Sequence, residues 1–327
     1  MAFIDELLTA LKKDRPKLSE GSLLTYKNQI EKLYKKVSGH TNTSNFTDLK
    51  WVNDIDNVMD TISDMKPSSQ KIILTSVAVF LSLDKDKEND KNIKKYRDKM
   101  LDIQNEMRED AKGQHKTDKE EKNWTSMNSL VEVRKGYRRE INNKGFLKKN
   151  EELSPNDFNL LQRYLVSSLY TIQPPQRNDY IMDVVSSKEY DDLSDDDKAK
   201  SNFLEIISKG KKAFHFNHYK TVARHGAKEI EVNKQLNAIL NIWLKFNKSG
   251  WLLLNKQKQP LTPNGLTKLV SRTFSPTGKN ITVNMIRKIF LTEKFGHEKD
   301  EKEKLAHEMG HTVATQQTKY VKHNKEE

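Results

Sequence analysis

The sequence predicts a mainly α-helical protein with a small antiparallel β-sheet, divided into two domains. Apolar residues recur at helical spacing through most of the chain, residues 203–232 change to short strand-like runs, and a charged stretch separates the two patterned parts. A length of 327 residues also favours two domains over one. We expect a helical domain at 1–111, a linker at 112–123 and an α+β domain at 124–327.

The first domain is predicted to be a small helical module. Ile4, Leu7, Leu8 and Leu11 repeat at helical spacing, and further helices are expected from Ser22 to a stop at Gly39, over 53–64, and from Ser68 or Ser69. An apolar stripe continues through the charged residues from 84 onward and predicts a long helix there. Lys112 to Lys122 lacks any apolar period, so we interpret it as the linker between the domains.

The second domain is predicted to place a short sheet among helices. Ser154-Pro155 is a typical N-cap and first-turn pair. Short strand-like runs broken by Gly210 and Gly226 favour an antiparallel sheet. Strands and helices do not alternate along the chain, so a parallel sheet is not predicted. The sequence also has no Gly-rich phosphate loop. Helices are expected at 233–247, 263–274, 283–295, 300–309 and 312–321.

The composition indicates a basic protein that binds an acidic partner. Lys and Arg number 58 against 46 Asp and Glu, a formal net charge of +12. Such a charge favours a polyanion, with nucleic acid the leading candidate, although solubility alone also accounts for it. Only 11 of the basic residues are Arg, whose planar fork suits phosphate better than Lys does. Beyond residue 170 the Arg residues are Arg177, Arg224, Arg272 and Arg287.

Several functional classes are excluded by what the sequence lacks. With no Cys, the chain has neither disulfides nor thiolate metal sites nor a Cys nucleophile. No apolar run is long enough for a transmembrane helix, so no membrane partner is expected. The N-terminus lacks the layout of a signal peptide. An intracellular location is the simplest interpretation.

The C-terminal segment 305–320 fits two different enzymes. His307-Glu308-Met309-Gly310-His311 matches H-E-x-x-H, the zinc-protease signature, which needs both His on one uninterrupted helix. Gly310 inside the motif weakens a helix, Ala314 and Gln317 occupy the positions of the extended motif, and few residues follow for a third ligand. The same letters also give Gly-His followed nine positions later by a tyrosine, Tyr320. That spacing can place a nucleophilic Tyr beside a His.

Five short motifs support the second interpretation. They are Pro175-Gln-Arg177-Asn-Asp-Tyr180, Tyr219-Lys220-Thr221, Asn284-Met-Ile-Arg287-Lys-Ile-Phe290-Leu-Thr292, Met309-Gly-His311 and Thr318-Lys-Tyr320. In this order and spacing they resemble the catalytic domain of the tyrosine recombinase (integrase) family, and the helical N-terminal module resembles that family's SAM-like core-binding domain. More weakly, the Lys-rich, Cys-free composition resembles integrases of virophages and large DNA viruses.

The resemblance implies a DNA strand transferase that acts without metal or cofactor. Arg177 and Arg287 would clamp the negative charge of an attacked phosphodiester. Tyr320 would form a covalent phosphotyrosine, Lys220 would protonate the leaving oxygen, and His311 would assist Tyr320. The implied partners are double-stranded DNA and three further copies in a synaptic tetramer, with a monomer possible in free solution. Plausible phosphate contacts are Lys94, Lys95, Lys209, Lys211 and Lys212.

Two departures keep alternatives open. Asn284 stands where the family most often has His, and Asn can bind a phosphate but cannot transfer a proton. Only seven residues follow Tyr320, which leaves subunit contacts to another element or makes them weaker. A type IB topoisomerase shares the chemistry, a catalytically impaired DNA-binding relative is suggested by Asn284, and the zinc protease is a remote alternative. The target DNA sequence is not legible from the chain.

Overall fold

The computed structural model shows a mainly helical chain with one small mixed sheet, and it describes residues 3–83, 87–112, 115–148, 152–309 and 312–313. The chain divides into two compact units, Met1–His115 and Lys116–Glu327, each with its own apolar core. The prediction of a mainly helical fold with a small sheet is confirmed. In the part of the chain that the structure describes, no helix is both long and apolar enough to cross a membrane.

The first unit is a helical module around one core. Its helices are α1 (Phe3–Asp14), α2 (Glu20–Ser38), α3 (Ile55–Ile62), α4 (Pro67–Leu81) and α5 (Lys87–Lys112), with a 3-10 turn at Lys50–Asn53. Two helices begin earlier than predicted, because Ser19 rather than Ser22 caps α2 and Pro67 opens α4. Gly39 ends α2 with a left-handed φ of 71°, as a helix stop requires. The long helix predicted in the charged stretch is α5.

Much of the predicted linker, 112–123, is helical. Helix α5 continues to Lys112, and the second unit begins at Lys116 with α6 (Asp118–Asn123). A capping box starts α6: the Thr117 hydroxyl accepts from the Glu120 N–H, and the Glu120 carboxylate accepts from the Thr117 N–H. Because this local hydrogen bonding needs no apolar stripe, apolar periodicity does not predict the helix.

The second unit places its helices around the sheet. They are α7 (Met127–Lys144), α8 (Pro155–Leu169), α9 (Ser187–Asp191), α10 (Asp195–Lys198), α11 (Val222–His225), α12 (Lys234–Phe246), α13 (Pro263–Thr273) and α14 (Val283–Glu308). Short 3-10 turns lie at Phe146–Lys148, Ser208–Gly210 and Ser275–Thr277. Ser154 caps α8 and Thr262 caps α13, each followed by Pro at the first helical position. Helix α7 was not predicted.

The sheet is mixed, so the prediction of a purely antiparallel sheet is wrong in one strand. Its order is β1 (Met182–Ser186), β2 (Asn202–Ile206), β3 (Lys212–Phe216) and β4 (Lys228–Glu231). Strands β2, β3 and β4 pair antiparallel, whereas β1 pairs parallel to β2 after a crossover through α9 and α10. The β1 run is short and has no flanking glycine, so it carries no strong strand signal.

One face of the sheet supplies the core of the second unit. Leu204, Phe214 and Phe216 are buried in the same apolar cluster as residues of α8, α12, α13 and α14. The first turns of α14 add Ile286 and Ile289, both fully buried. This core therefore fixes the sheet, the end of α8 and the start of α14 against one another.

Helix α14 is continuous where two helices, 283–295 and 300–309, were predicted. The Lys- and Glu-rich residues 297–308 have no apolar period, but Lys–Glu ion pairs one turn apart stabilise such a sequence as a helix. Gly296 lies inside the helix, where it weakens it by about 1 kcal/mol relative to Ala without breaking it. The separate helix predicted at 312–321 falls mostly outside the described residues.

Candidate functional site

Arg177 lies in a loop that connects α8 to β1. The Tyr170 hydroxyl donates to the Arg177 carbonyl at 3.0 Å, and the Asn178 amide donates to the Thr267 hydroxyl at 2.9 Å. Asn202 of β2 donates to the Asp179 carbonyl at 3.0 Å. These three hydrogen bonds hold the loop in place, so the half-buried Arg177 side chain has a defined position.

Tyr170 is a buried support for this loop that the sequence analysis did not identify. Its ring is fully buried and meets Tyr180 edge-on, with ring centroids 5.4 Å apart. Burial raises the pKa of Tyr170 well above its ordinary value, and the nearby Arg287 opposes that shift. Tyr170 therefore stays a neutral donor that holds the Arg177 backbone close to Arg287.

Replacing Tyr170 by phenylalanine is expected to loosen the loop. The Arg177 carbonyl loses its donor, so the free energy of unfolding should fall by about 1 kcal/mol, as measured by urea denaturation. Tyr180→Phe is the matched control, because the Tyr180 hydroxyl donates to Leu169 rather than to the arginine loop. An activity that depends on Arg177 should fall further in Tyr170→Phe than in Tyr180→Phe; equal activity would show that Tyr170 does not position Arg177.

Arg287 and Asn284 lie one turn apart near the start of α14. The Thr282 hydroxyl accepts from the Met285 N–H at 3.3 Å and caps the helix. Ile286 and Ile289 bury one face of the helix, which leaves Arg287 half-buried and Asn284 exposed on another. Both side chains line one cleft. The predicted motif helix therefore places the two residues on a common surface.

Lys228 lies beside both arginines and belongs to none of the five sequence motifs. It begins β4 directly opposite Phe216, so it shares the inner face of the sheet. Its ammonium lies over the rings of Phe216 and Tyr219, at 4.9 and 4.8 Å, and donates to the Gln176 amide oxygen at 2.6 Å. The signal was available, because the strand period assigns Lys228 and Ile230 to the apolar face.

Lys220, the predicted proton donor, lies between strands β3 and β4. It is exposed in the turn after β3, just before the short helix α11, and it lies on neither strand of the hairpin. Tyr219 closes this turn through a 2.7 Å hydrogen bond to the Gly226 carbonyl. Of these two lysines, Lys228 is the one that lies in a strand and beside the arginines.

Four charged side chains lie close together, and we call them the basic cluster: Arg177, Asp179, Lys228 and Arg287. Burial lowers the pKa of Arg287, and the charge of Arg177 lowers it further. Burial also lowers the pKa of Lys228, which Asp179 opposes and the two arginines reinforce. Burial raises the pKa of Asp179 against the pull of Lys228 and Arg177. With three cationic side chains and one carboxylate, the cluster has a net positive charge that can bind an anion.

A cleft of about 430 Å³ adjoins the cluster between α6 and the start of α14. Three contacts hold α6 there. They are the Lys288–Glu120 ion pair, a 2.9 Å hydrogen bond from the Asn280 N–H to the Asn123 amide oxygen, and a hydrogen bond from the Lys279 ammonium to the Lys122 carbonyl. The hydrogen bond from Lys288 holds the pKa of Glu120 below its ordinary value. Polar groups from both walls line the cleft: Lys119, Asn123, Asn280, Asn284, Arg287 and Lys288.

The lysines predicted to contact phosphates are placed differently from one another. Lys94, Lys95 and Lys211 are exposed, although Lys95 shares a surface pocket with several aspartates. The side chain of Lys209 lies outside what the structure describes. The prediction that Lys212 contacts phosphate is wrong. Lys212 is only 2% exposed, and its ammonium donates to the Asn237 and Asn241 side chains. Burial lowers the pKa of Lys212, and the group is not available to DNA.

Lys212 is therefore expected to act on stability rather than on DNA affinity. Lys212→Met removes the donor and leaves two amide oxygens without it, so unfolding should become easier by about 1–3 kcal/mol. Lys211→Met, at the exposed neighbouring position, is the control and should leave stability nearly unchanged. A Lys212→Met protein that unfolds like wild type but binds DNA more weakly would contradict this assignment.

His311 and Tyr320 lie outside the described residues. Helix α14 ends at Glu308, with Met309 as its C-cap, so the described helix includes His307 and Glu308 and ends before His311. The single helix that the zinc motif needs is therefore not seen to extend across both His. Among the described residues no group of three His, Asp or Glu is arranged to hold a metal ion.

Comparison with known proteins adds no relative. No protein-family model matches the chain, and no curated protein matches it significantly. What the site can do therefore follows from its own side chains.

Proposed function

We propose that this chain is a DNA strand transferase of the tyrosine recombinase type, which cuts and rejoins DNA through a 3′-phosphotyrosine. The observation that carries the proposal is the basic cluster: Arg177 from a loop, Lys228 from a strand and Arg287 from a helix meet around Asp179. The first unit, with its exposed Lys94, would add affinity for the DNA backbone.

The charge of the cluster suits phosphoryl transfer. Attack on a phosphodiester raises the charge on the non-bridging oxygens from one to two in the transition state. With Asp179 ionised, three cations leave two positive charges uncompensated, which matches that developing charge. Arg177 and Arg287 supply planar forks that can each bind two oxygens, a geometry that Lys cannot supply.

The proposed reaction moves one proton at each end of the broken bond. The Tyr320 hydroxyl oxygen forms a bond to phosphorus as its proton passes to His311, and the bond from phosphorus to the 5′-oxygen breaks. Lys228 donates a proton to that departing oxygen. Its position over Phe216 and Tyr219, beside two arginines, favours giving the proton up. Religation reverses both transfers.

Asn284 fits this reaction as a hydrogen-bond donor rather than as an acid. Its amide lies on the same cleft as Arg287 and can bind a phosphate oxygen without exchanging a proton. A catalytically impaired relative would also keep this contact. The two cases differ in whether a covalent intermediate forms.

A covalent adduct is the decisive test of the proposed function. Wild-type protein incubated in EDTA with a nicked suicide duplex should give a protein–DNA adduct that survives denaturation, and Tyr320→Phe should give none. No adduct from wild type, with DNA binding intact, would identify a binding protein instead. If the adduct forms, recombination of paired sites indicates a recombinase, and relaxation of a single supercoiled plasmid by a monomer indicates a topoisomerase.

A further inference from the structure

Helices α7 and α8 bring two arginines and a tyrosine together outside the basic cluster. Arg134 and Arg138 lie one turn apart on α7, so their side chains share one face of that helix. Tyr164 lies on α8, and the two helices pack through the same apolar core. Burial raises the pKa of Tyr164, and the charges of both arginines oppose that shift, so the three side chains are close neighbours. We call them the α7–α8 cluster.

The two arginines of this cluster gain no compensating charge from the fold. Like charges one turn apart destabilise a helix. Among the described residues neither Arg134 nor Arg138 forms an ion pair with a carboxylate. Glu132 of the same helix pairs with Lys135 instead, at an N–O distance of 2.7 Å. The positive charge of the pair is therefore left for an external partner.

Arg134 is also held at a fixed position and is partly removed from water. Its Nη1 donates to the Thr171 hydroxyl at 2.9 Å, and its side chain is half-buried. Burial lowers the pKa of Arg134, and the charge of Arg138 lowers it further. A cation that is partly desolvated without a counter-charge is costly, and a bound anion offsets that cost.

The Tyr164 hydroxyl is a third donor beside the two guanidinium groups. Tyr164 is only 7% exposed, and because burial raises its pKa the phenol stays protonated at neutral pH. In the part of the chain that the structure describes, this hydroxyl has no hydrogen-bond partner, although it is not shut off from solvent. Its proton is therefore available to an oxygen of a ligand.

A phosphate group is the ligand whose chemistry matches these donors. Each guanidinium offers a planar fork of N–H groups, and the phenol adds an O–H. Phosphate carries several charged acceptor oxygens and can accept from both forks and the hydroxyl at once. We propose that Arg134, Arg138 and Tyr164 form a second phosphate-binding site, separate from the basic cluster. The inference goes beyond the proposed function, because binding at this site needs no strand cleavage.

Thermal unfolding in inorganic phosphate tests the site itself. The full chain carries Arg287→Ala, so that the basic cluster contributes little to phosphate binding. In this background, phosphate should raise the Tm above its value in sodium chloride of equal ionic strength. Adding Arg134→Ala and Arg138→Ala should remove most of that rise. Arg139→Ala is the matched control, because it removes an exposed arginine from the same helix, and it should keep the rise.

The salt dependence of duplex binding identifies the source of the phosphate. If the site holds a backbone phosphate of DNA, Arg134→Ala with Arg138→Ala should lower the slope of log affinity against log salt by about one, the effect of one lost contact. Arg139→Ala should leave the slope unchanged. If the site holds a free phosphate ion or a small phosphate ester, the slope stays at the wild-type value and the change in Tm remains.

Tyr164→Phe guards against a folding artefact, because the lost hydroxyl supports no contact among the described residues. This variant should unfold like wild type in sodium chloride and bind phosphate or duplex several-fold more weakly. The proposal is overturned if the double arginine variant changes neither the phosphate-dependent Tm nor the salt slope, or if Arg139→Ala has an equal effect. Formation of the covalent adduct, which decides the proposed function, is a separate measurement.

Discussion

Replacing Arg287 by alanine is expected to lower the rate of covalent adduct formation about 10³-fold while leaving DNA binding within a few-fold of wild type. Arg287 is half-buried beside Arg177 and Asp179, where its charge is poorly screened by solvent. Its removal takes away one of the two forks that would stabilise the doubly charged transition state. Single-turnover cleavage of a suicide duplex measures the effect.

Two further variants show whether fork geometry or charge alone matters. Arg287→Lys keeps the charge but loses the second donor, so it should recover only a small part of the lost rate. Arg272→Ala removes an exposed arginine from the last turn of α13 and should cleave at the wild-type rate. Wild-type cleavage by Arg287→Ala would show that the basic cluster is not the catalytic site.

Replacing Lys228 by alanine is expected to slow cleavage about 10²–10⁴-fold, the usual effect of removing a general acid. Lys220→Ala, in the exposed turn eight residues earlier, should have a much smaller effect. A substrate with sulfur in place of the leaving 5′-oxygen separates a general acid from a simple phosphate contact. A thiolate leaves without protonation, so this substrate should restore most of the rate to Lys228→Ala.

The pH dependence follows from the same assignment. A general acid must be protonated, so cleavage should fall as pH rises through the pKa of Lys228. Burial lowers that pKa, and the two arginines lower it further against the pull of Asp179, so the alkaline limb should lie below the range of an ordinary lysine. If Lys228→Ala cleaved the natural substrate at the full rate and Lys220→Ala did not, Lys220 rather than Lys228 would be the general acid.

Local signals in the sequence predict most helices of this fold. Ser154 before Pro155 and Thr282 before Val283 mark helix starts because their hydroxyls satisfy the first free N–H groups. The motif around Arg287 likewise predicts its helix, since Ile286 and Ile289 must be buried on one face. Such information lies within a few residues and needs no tertiary context.

Long-range contacts explain what the sequence did not predict. Strand β1 depends on pairing with β2 across a crossover, and Lys228 gains its importance from Arg177 and Arg287, which are distant in the chain. In the sequence, Lys212 cannot be told from its exposed lysine neighbours. In the fold, its ammonium donates to the side chains of Asn237 and Asn241 of α12. One lysine was thereby removed from the candidate site and another added to it.

The central claim is that Tyr320 forms a covalent bond to the 3′ side of a cut DNA strand next to the basic cluster. Mapping that bond tests it most directly: the adduct is digested with protease and nuclease, and mass spectrometry locates the residual nucleotide. A 3′-nucleotide on the peptide that contains Tyr320, absent from Arg287→Ala, is the predicted result. A nucleotide on any other residue, or linkage through the 5′ end, would contradict the account.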